Sequence, residues 1–303
     1  MKKRSLNRIS KKKSRIKFLL FSFTLVILLS CTHTKSVSVV YTGKSNGILE
    51  NCNCPKNKYG GLLNRLFLFN QQKDSIDLIL DAGDLFSFRK DNDLNQIILK
   101  ILPEFKYTAI SPGELDLGLV KEIDEILVSQ NIYGIKKEVF IEHDNVKFCL
   151  TGAIDPEFMK YDKNDLIMKD HNMEDINAYT KTLKSKCDVL VFLSHLKIDN
   201  ERKLFIENPE IDIMISGHSG IRTHEKFGNR IYVSPGRNSE FIGKLNLKIK
   251  KNDKGQYSIF DHVNKFYSMN IDSIPVDVKA KNIVDSMKKI FNIKSKPLPS
   301  EDY

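Results

Sequence analysis

Two cysteines stand one residue apart in Cys52-Asn53-Cys54, with Pro55 directly after them. A disulfide across Cys-x-Cys closes a very small, strained ring, so it would be oxidising and readily reduced. The same pair could instead offer two thiolates to a soft metal, or sit as two small half-buried residues in a static turn. An exposed loop setting favours thiol reactivity. The other residues able to do chemistry fall in five short polar segments. In order they are Thr42-Gly43-Lys44-Ser45-Asn46-Gly47, Asp81-Ala82-Gly83-Asp84, Ser111-Pro112-Gly113-Glu114-Leu115-Asp116, Leu193-Ser194-His195 and Ser216-Gly217-His218-Ser219-Gly220. Each follows an apolar run of strand length, and strand ends are where ligand groups collect in an open α/β sheet.

The elements that must position these segments are legible from periodicity. Residues 37–42, 76–80, 107–110, 189–193 and 211–215 read as strands, and 138–143 with 146–151 as a hairpin across Asp144-Asn145. Helical spacing covers residues 61–71, 95–102, 119–130, 173–186 and 198–208. From 230 to 269 the pattern turns to strands and hairpins, and 276–293 reads as a last amphipathic helix. Strands alternating with helices predict an α/β fold whose sheet is covered by helices.

The 303 residues carry 48 Lys+Arg against 38 Asp+Glu, a formal net charge of +10. Nine of the basic residues and none of the acidic ones lie in residues 1–30, so the rest is nearly neutral. That removes the electrostatic argument for a nucleic-acid partner. A hydrophobic content of 41% with 28% charged residues excludes wholesale disorder. The basic start leads into a largely apolar run of twelve residues, 18–29. A spanning helix needs roughly 20, so this run has the dimensions of a signal peptide. Leu28-Leu29-Ser30-Cys31 resembles a bacterial lipoprotein processing site. It implies an acylated Cys31, a lipid bilayer as partner, and a body in the cell envelope outside the cytoplasm. The alternative is an uncleaved N-terminal anchor.

The five polar segments, in this order after five strands, resemble the calcineurin-like metallophosphoesterases, and within them the UshA-like 5′-nucleotidase branch. Tyr232-Val233-Ser234-Pro235-Gly236 and Gly243-Lys244-Leu245 match the strands that follow. The resemblance implies an α/β sandwich, two packed sheets flanked by helices. In that superfamily the first strand ends in Asp-x-His, two ligands of a first metal; here those positions are Lys44 and Asn46. The Asp that bridges two metals matches Asp84. The Asn and the acid His of Gly-Asn-His-Glu are replaced by Glu114 and Leu115. The single His ligand matches His195, and Gly-His-x-His is reduced to His218 and Gly220. The first-metal site has therefore lost its ligands. Asp84, Glu114, His195 and His218 remain as a set suited to one divalent transition metal, Zn²⁺, Mn²⁺ or Fe²⁺. The alternative is that they are leftover hydrogen-bonding groups. Lys44 and Asn46 line the site, with Lys44 where the first cation would be. Leu115 cannot act as a general acid. Asp81 and Asp116 are expected to orient neighbouring groups.

Gly-x-Leu-Glu-x-Cys-x-Cys-Pro, residues 47–55, looks like a UshA-like subgroup in which selenocysteine replaces a Cys in some members. That resemblance favours redox chemistry at Cys52 and Cys54, with a thiol-redox partner. Cys149 and Cys187 read as buried small hydrophobes. His33, His143, His171, His224 and His262 read as surface or packing residues. The expected organisation is a lipoprotein signal at 1–30, a linker at 31–36, a metallophosphoesterase-like domain at 37–270, and a helix and tail at 271–303. The substrate-recognition domain of full-length 5′-nucleotidases is expected to be absent. Three functions follow: a lipoprotein combining one metal with a redox-capable Cys-x-Cys, a metal-dependent phosphoesterase with relaxed ligands, or a non-catalytic binding lipoprotein.

Overall fold

In the computed structural model, which describes residues 34–51, 58–87, 92–132, 134–158, 172–252 and 255–293, the apolar runs pair into two sheets. The strands are β1 (Lys35–Thr42), β2 (Leu78–Asp81), β3 (Ala109–Ile110), β4 (Glu138–His143), β5 (Val146–Ile154), β6 (Val189–His195), β7 (Ile213–Ser216), β8 (Thr223–Phe227), β9 (Arg230–Ser234), β10 (Phe241–Lys251) and β11 (Tyr257–Ser268). The α-helices are α1 (Leu62–Gln72), α2 (Asn92–Ile101), α3 (Met173–Leu183), α4 (Ile198–Glu207) and α5 (Val278–Ile290). Cys31, Cys52 and Cys54 lie outside the described residues.

One sheet has the order β11-β10-β1-β2-β3 and the other β4-β5-β6-β7-β9-β8. In the first, β1, β2 and β3 are parallel. In the second, β5, β6, β7 and β9 are parallel. Strand alternation decides which side chain enters which layer. Val37, Val39 and Tyr41 of β1 meet Val191 and Leu193 of β6 in the layer between the sheets. Val40 faces the other way, toward Leu62, Leu66, Ile97 and Val284 of α1, α2 and α5. Leu190 and Phe192 of β6 pack outward with Ile176 and Leu204 of α3 and α4. The result is two packed sheets flanked by helices, the expected α/β sandwich. Cys149 is fully buried in β5.

Gly60-Gly61 is explained by close approach. A Cβ on Gly61 would lie 2.3 Å from the Ile48 carbonyl oxygen. The first turn of α1 runs against that backbone, with the Leu62 N–H donating to Ile48 O at 2.8 Å.

The expected helix over 119–130 does not form. Two 3₁₀ turns, Leu117–Glu122 and Asp124–Ile126, replace it, and the chain then runs extended. Two causes are visible. The Asp116 carboxylate, the natural N-cap, is occupied by backbone N–H groups of Asp84, Phe86 and Gly113. Beyond the turns, Val128 N–H donates to Ile110 O at 2.9 Å, which closes the edge beside the two-residue β3. The pairing keeps Leu127 and Val128 buried, which the helical spacing alone did not predict. Among the described residues, no helix is long and apolar enough to cross a membrane.

Candidate metal centre

Parallel register brings the strand exits level. Thr42 stands beside Asp81 and Asp81 beside Ile110 in one sheet. Ile154 stands beside His195 and Ser194 beside Ser216 in the other. The loops leaving both sheets then touch, and glycines make the contact possible. A Cβ on Gly217 would lie 1.9 Å from Ala82 O, and one on Gly113 would lie 2.3 Å from Asp84 Oδ1 and 2.6 Å from His195 Cε1.

At this junction Asp84, Glu114, His195 and His218 each turn one ligand-capable atom inward, all within 4.8 Å of one another. The His195 Nδ1–H donates to Ala82 O at 2.7 Å, which fixes the ring and aims Nε2 at the cluster. That Nε2 lies 2.7 Å from Glu114 Oε2, 3.4 Å from Asp84 Oδ2 and 3.4 Å from His218 Nδ1. His218 Nδ1 is 3.6 Å from Glu114 Oε1. Asp84 and His195 are buried, while Glu114 and His218 are half-buried and open the cluster to solvent. Two imidazoles and two carboxylates converging from four loops are a donor set that fits a divalent transition metal.

The four groups offset one another's burial electrostatically. Burial alone would push the Glu114 carboxyl up, yet hydrogen bonds from His195 and His218 hold it well below the usual range. Burial would push the His195 imidazole down, yet Asp84 and Glu114 raise it well above its ordinary value. In the metal-free protein His195 therefore carries a proton that ligation must displace. Zn²⁺ affinity should fall about tenfold per pH unit once pH drops below the His195 pKa, since one proton is released per metal bound. Equilibrium dialysis across pH 5–8 at constant ionic strength measures this, and a flat profile contradicts it.

Asp116 and Asp81 hold the frame, as expected of them. Asp116 Oδ2 accepts the Asp84 and Gly113 N–H groups at 2.8 Å each, and its Oδ1 accepts the Phe86 N–H at 3.0 Å. Burial, reinforced by the Asp84 charge, pushes the Asp116 carboxyl up to about 7. Asp116→Ala should cost 10- to 100-fold in metal affinity, the usual effect of removing a group that orients a ligand, read by competition with a metal-sensitive dye. Asp81 accepts the Gly83 N–H at 2.8 Å and the Thr42 hydroxyl at 2.5 Å. Below it Arg65 is fully buried, 3.8 Å from Asp81 Oδ2.

Lys44 and Asn46 do different work. Lys44 Nζ donates to His218 O at 2.8 Å and lies 4.0 Å from Asp84 Oδ2. Asn46 Nδ2 donates to Asn238 Oδ1 at 2.8 Å and so braces the loop after β9. Lys44, Asn46 and Asp84 all hold positive φ, at 46°, 52° and 56°. Such non-glycine conformations gather where a side chain must be aimed. Gly220, in place of a distal His, points a Cβ position 3.4 Å from both Lys44 Cδ and Arg237 Cδ. The aliphatic stems of two cationic side chains therefore pass beside Gly220.

Sequence reading missed Phe158, whose ring centre is 4.3 Å from that of His218. The strand expected to stop at 151 continues to Ile154, so its exit, Asp155 to Phe158, is a sixth loop at the rim. The apolar run Gly152-Ala153-Ile154 before Asp155 was the available signal.

The sequence matches the calcineurin-like phosphoesterase family over residues 24–222. None of the curated proteins matches it. A 5′-nucleotidase precursor from Thermus thermophilus is similar in structure, with a TM-score of 0.71 and 17% identity over 85% of this chain and 59% of that one. The calcineurin-like phosphoesterase YfkN from Bacillus subtilis gives 0.68 and 18%, over 85% of this chain and 98% of that one. The sulfate thiohydrolase SoxB from Thermus thermophilus gives 0.70 and 12%, over 84% and 61%. This chain thus spans less than two thirds of the nucleotidase, and identities this low speak for the fold alone.

Proposed function

The chain belongs to the calcineurin-like phosphoesterase family, and from that premise we propose that it is an extracytoplasmic, lipid-anchored protein with a one-metal centre for oxyanionic esters. The convergence of Asp84, Glu114, His195 and His218 within 4.8 Å carries this reading. Those four residues would hold one Zn²⁺, Mn²⁺ or Fe²⁺, which when bound would supply Lewis acidity toward an ester oxygen.

The chain's own residues do the rest. The Lys44 ammonium and the Arg237 guanidinium stand in electrostatically for a second cation and would pair with the remaining ester oxygens. Phe158 supplies an apolar wall beside His218. Leu115 offers no proton, and its N–H donates to Asp84 Oδ1 at 3.2 Å. A leaving group must then depart unprotonated, so hydrolysis is confined to activated esters such as aryl phosphates. The similar structures include both a nucleotidase and a sulfate thiohydrolase, so the oxyanion class rather than a nucleotide is the proposal.

Elemental analysis and turnover of p-nitrophenyl phosphate test it together. The expected result is one metal per chain and slow aryl phosphate hydrolysis that disappears in Asp84→Ala, with no release of phosphate from an alkyl ester. A metal-free wild type rules the reading out. Lys44→Met should weaken competitive inhibition by inorganic phosphate about tenfold or more, the worth of one charge-assisted contact.

The anchor rests on the run 18–29 and Ser30-Cys31. Cys31→Ser should release the chain from the membrane fraction or leave it unprocessed, and unchanged acylation would refute the assignment. For Cys52 and Cys54 we propose a redox-capable pair, supported by their spacing and consistent with the export proposed above. The full chain should show two extra thiols only after reduction, and Cys52→Ser/Cys54→Ser should show none while keeping its metal. Metal lost in that variant would make the cysteines ligands instead.

A further inference from the structure

Cys31 precedes Lys35, the first residue of β1, by four peptide steps, a span of at most about 14 Å. Acyl chains on Cys31 would therefore hold the Lys35 end of the body close to a bilayer. That end is opposite the metal centre. β1 runs from Lys35 to Thr42, where the loop carrying Lys44 begins, and its eight residues cover about 23 Å. β2 and β3 are parallel to β1, so they too start at the tether end and leave toward the site. Lys35 pairs at 3.4 Å with Asp144, just before β5, so the parallel strands of the second sheet start there as well.

The hairpin between β10 and β11 extends past β1 at this end. β10 is antiparallel to β1 and Lys35 stands opposite Ile249, so Lys250 and Lys251 continue beyond the start of β1. Both are exposed. Residues 248–256 hold Lys248, Lys250, Lys251 and Lys254 against a single acid, Asp253. The neighbouring acids are already engaged. Asp261 faces Lys248 at 3.6 Å, Asp144 faces Lys35, and Asp188 accepts the N–H groups of Lys147 and Tyr257 at 2.9 and 3.3 Å. Two half-buried rings complete the patch. Tyr257 has the Lys251 and Lys35 ammonium groups 5.2 and 5.6 Å from its ring centre, and Lys250 lies 4.8 Å from that of Phe260.

We propose that this hairpin end, with Lys250, Lys251 and Tyr257, is a docking surface for the headgroups of an anionic bilayer. The lysines would meet the lipid phosphates, and a tyrosine suits the headgroup level because its ring is apolar and its hydroxyl is not. Docking at this end rests on the acylation of Cys31 proposed above and adds an orientation to it. The metal centre then faces away from the bilayer, and takes water-soluble esters rather than the phosphates of the lipids beneath it.

The chain contains no Trp, so one introduced indole reports its own surroundings. Gln256→Trp places it on the exposed hairpin, and Ile221→Trp on the loop of His218, at a position 66% exposed. Each acylated variant is reconstituted in phosphatidylglycerol vesicles doped with a lipid that carries a nitroxide on its headgroup. Emission of Gln256→Trp should be quenched and that of Ile221→Trp spared, with circular dichroism to verify both folds. Each lysine at such a surface is worth about fivefold, so adding Lys250→Gln/Lys251→Gln should lower the ratio of docked to undocked chains about 30-fold and relieve the quenching. Phosphatidylcholine vesicles should relieve it too. Failure of the wild type to float with the vesicles overturns the anchor and the docking surface together. Flotation with equal quenching at the two positions, or quenching of Gln256→Trp that ignores both lysines, overturns the docking surface and leaves the anchor standing.

Discussion

Arg65→Met should destabilise the protein by about 3–5 kcal/mol, the usual cost of stripping one partner from a buried ion pair. Arg65 is fully buried, and its guanidinium serves several groups at once. One nitrogen reaches the Tyr107 hydroxyl at 3.1 Å, and the other reaches Ser45 Oγ at 2.8 Å and Ser239 Oγ at 3.0 Å. It also provides the balancing charge for Asp81, where burial pushes the carboxyl up and Arg65 opposes the rise. Methionine keeps much of the volume but leaves Asp81 as an uncompensated buried charge. The sign of the pH dependence identifies the cause. With Arg65 gone, the Asp81 pKa in the folded state rises further above its unfolded value. The variant's deficit should then be largest at neutral and alkaline pH and shrink as acid neutralises Asp81. Urea denaturation from pH 4.5 to 8 measures it. Asp81→Asn placed in the Arg65→Met background should recover a large part of the loss at neutral pH. A deficit independent of pH and untouched by Asp81→Asn would mean that the cost is packing, not charge.

His195→Ala should lower metal affinity by at least about 100-fold, the upper end of what losing even an orienting partner costs. Its Nε2 is the atom on which Asp84 and Glu114 both converge. Removing it deletes a ligand and leaves two carboxylates facing one another across the gap, with Lys44 beside Asp84. The protein should remain folded, since the strand below is held by Val191, Leu193 and Phe192 in two separate layers. Elemental analysis of the purified variant, with circular dichroism to verify the fold, reads the result. Full metal occupancy in His195→Ala would mean that the ion is held elsewhere.

The parts of this protein that were legible in its sequence are those set by strand period and strand ends. Apolar runs of five or six residues located β1, β2, β6 and β7, and the polar residues just past them are those that gather at the rim. Strand and helix periodicity gave a sheet covered by helices, and the two packed sheets followed only from the resemblance that the order of the segments carries. What was not legible depends on partners distant in sequence. Residues 119–130 carry helical spacing, but Asp116 is drawn away to backbone groups of Asp84 and Phe86, and Val128 pairs with Ile110. Phe158 was hidden by a strand three residues longer than its pattern suggested. Arg237 came to light only because Gly220 leaves open the space beside it.

The loop after β1 keeps its shape without help from the side chains that line the site. Lys44 N–H donates to Gly83 O, Asn46 N–H to Asp84 O and Gly47 N–H to Leu85 O, at 2.7, 2.8 and 3.2 Å. These bonds are made by main chain to main chain, so they survive an exchange at residues 44 and 46 by any side chain that accepts the positive φ held there. The loop is a socket, and its contents can be exchanged without rebuilding the wall. A lysine can take a ligand's place at little cost to the layers beneath, and the next exchange starts from an intact scaffold. Chemistry on such a rim can be rewritten one residue at a time. Main-chain bonds of this kind are one way in which chains at 17% and 18% identity can share a fold.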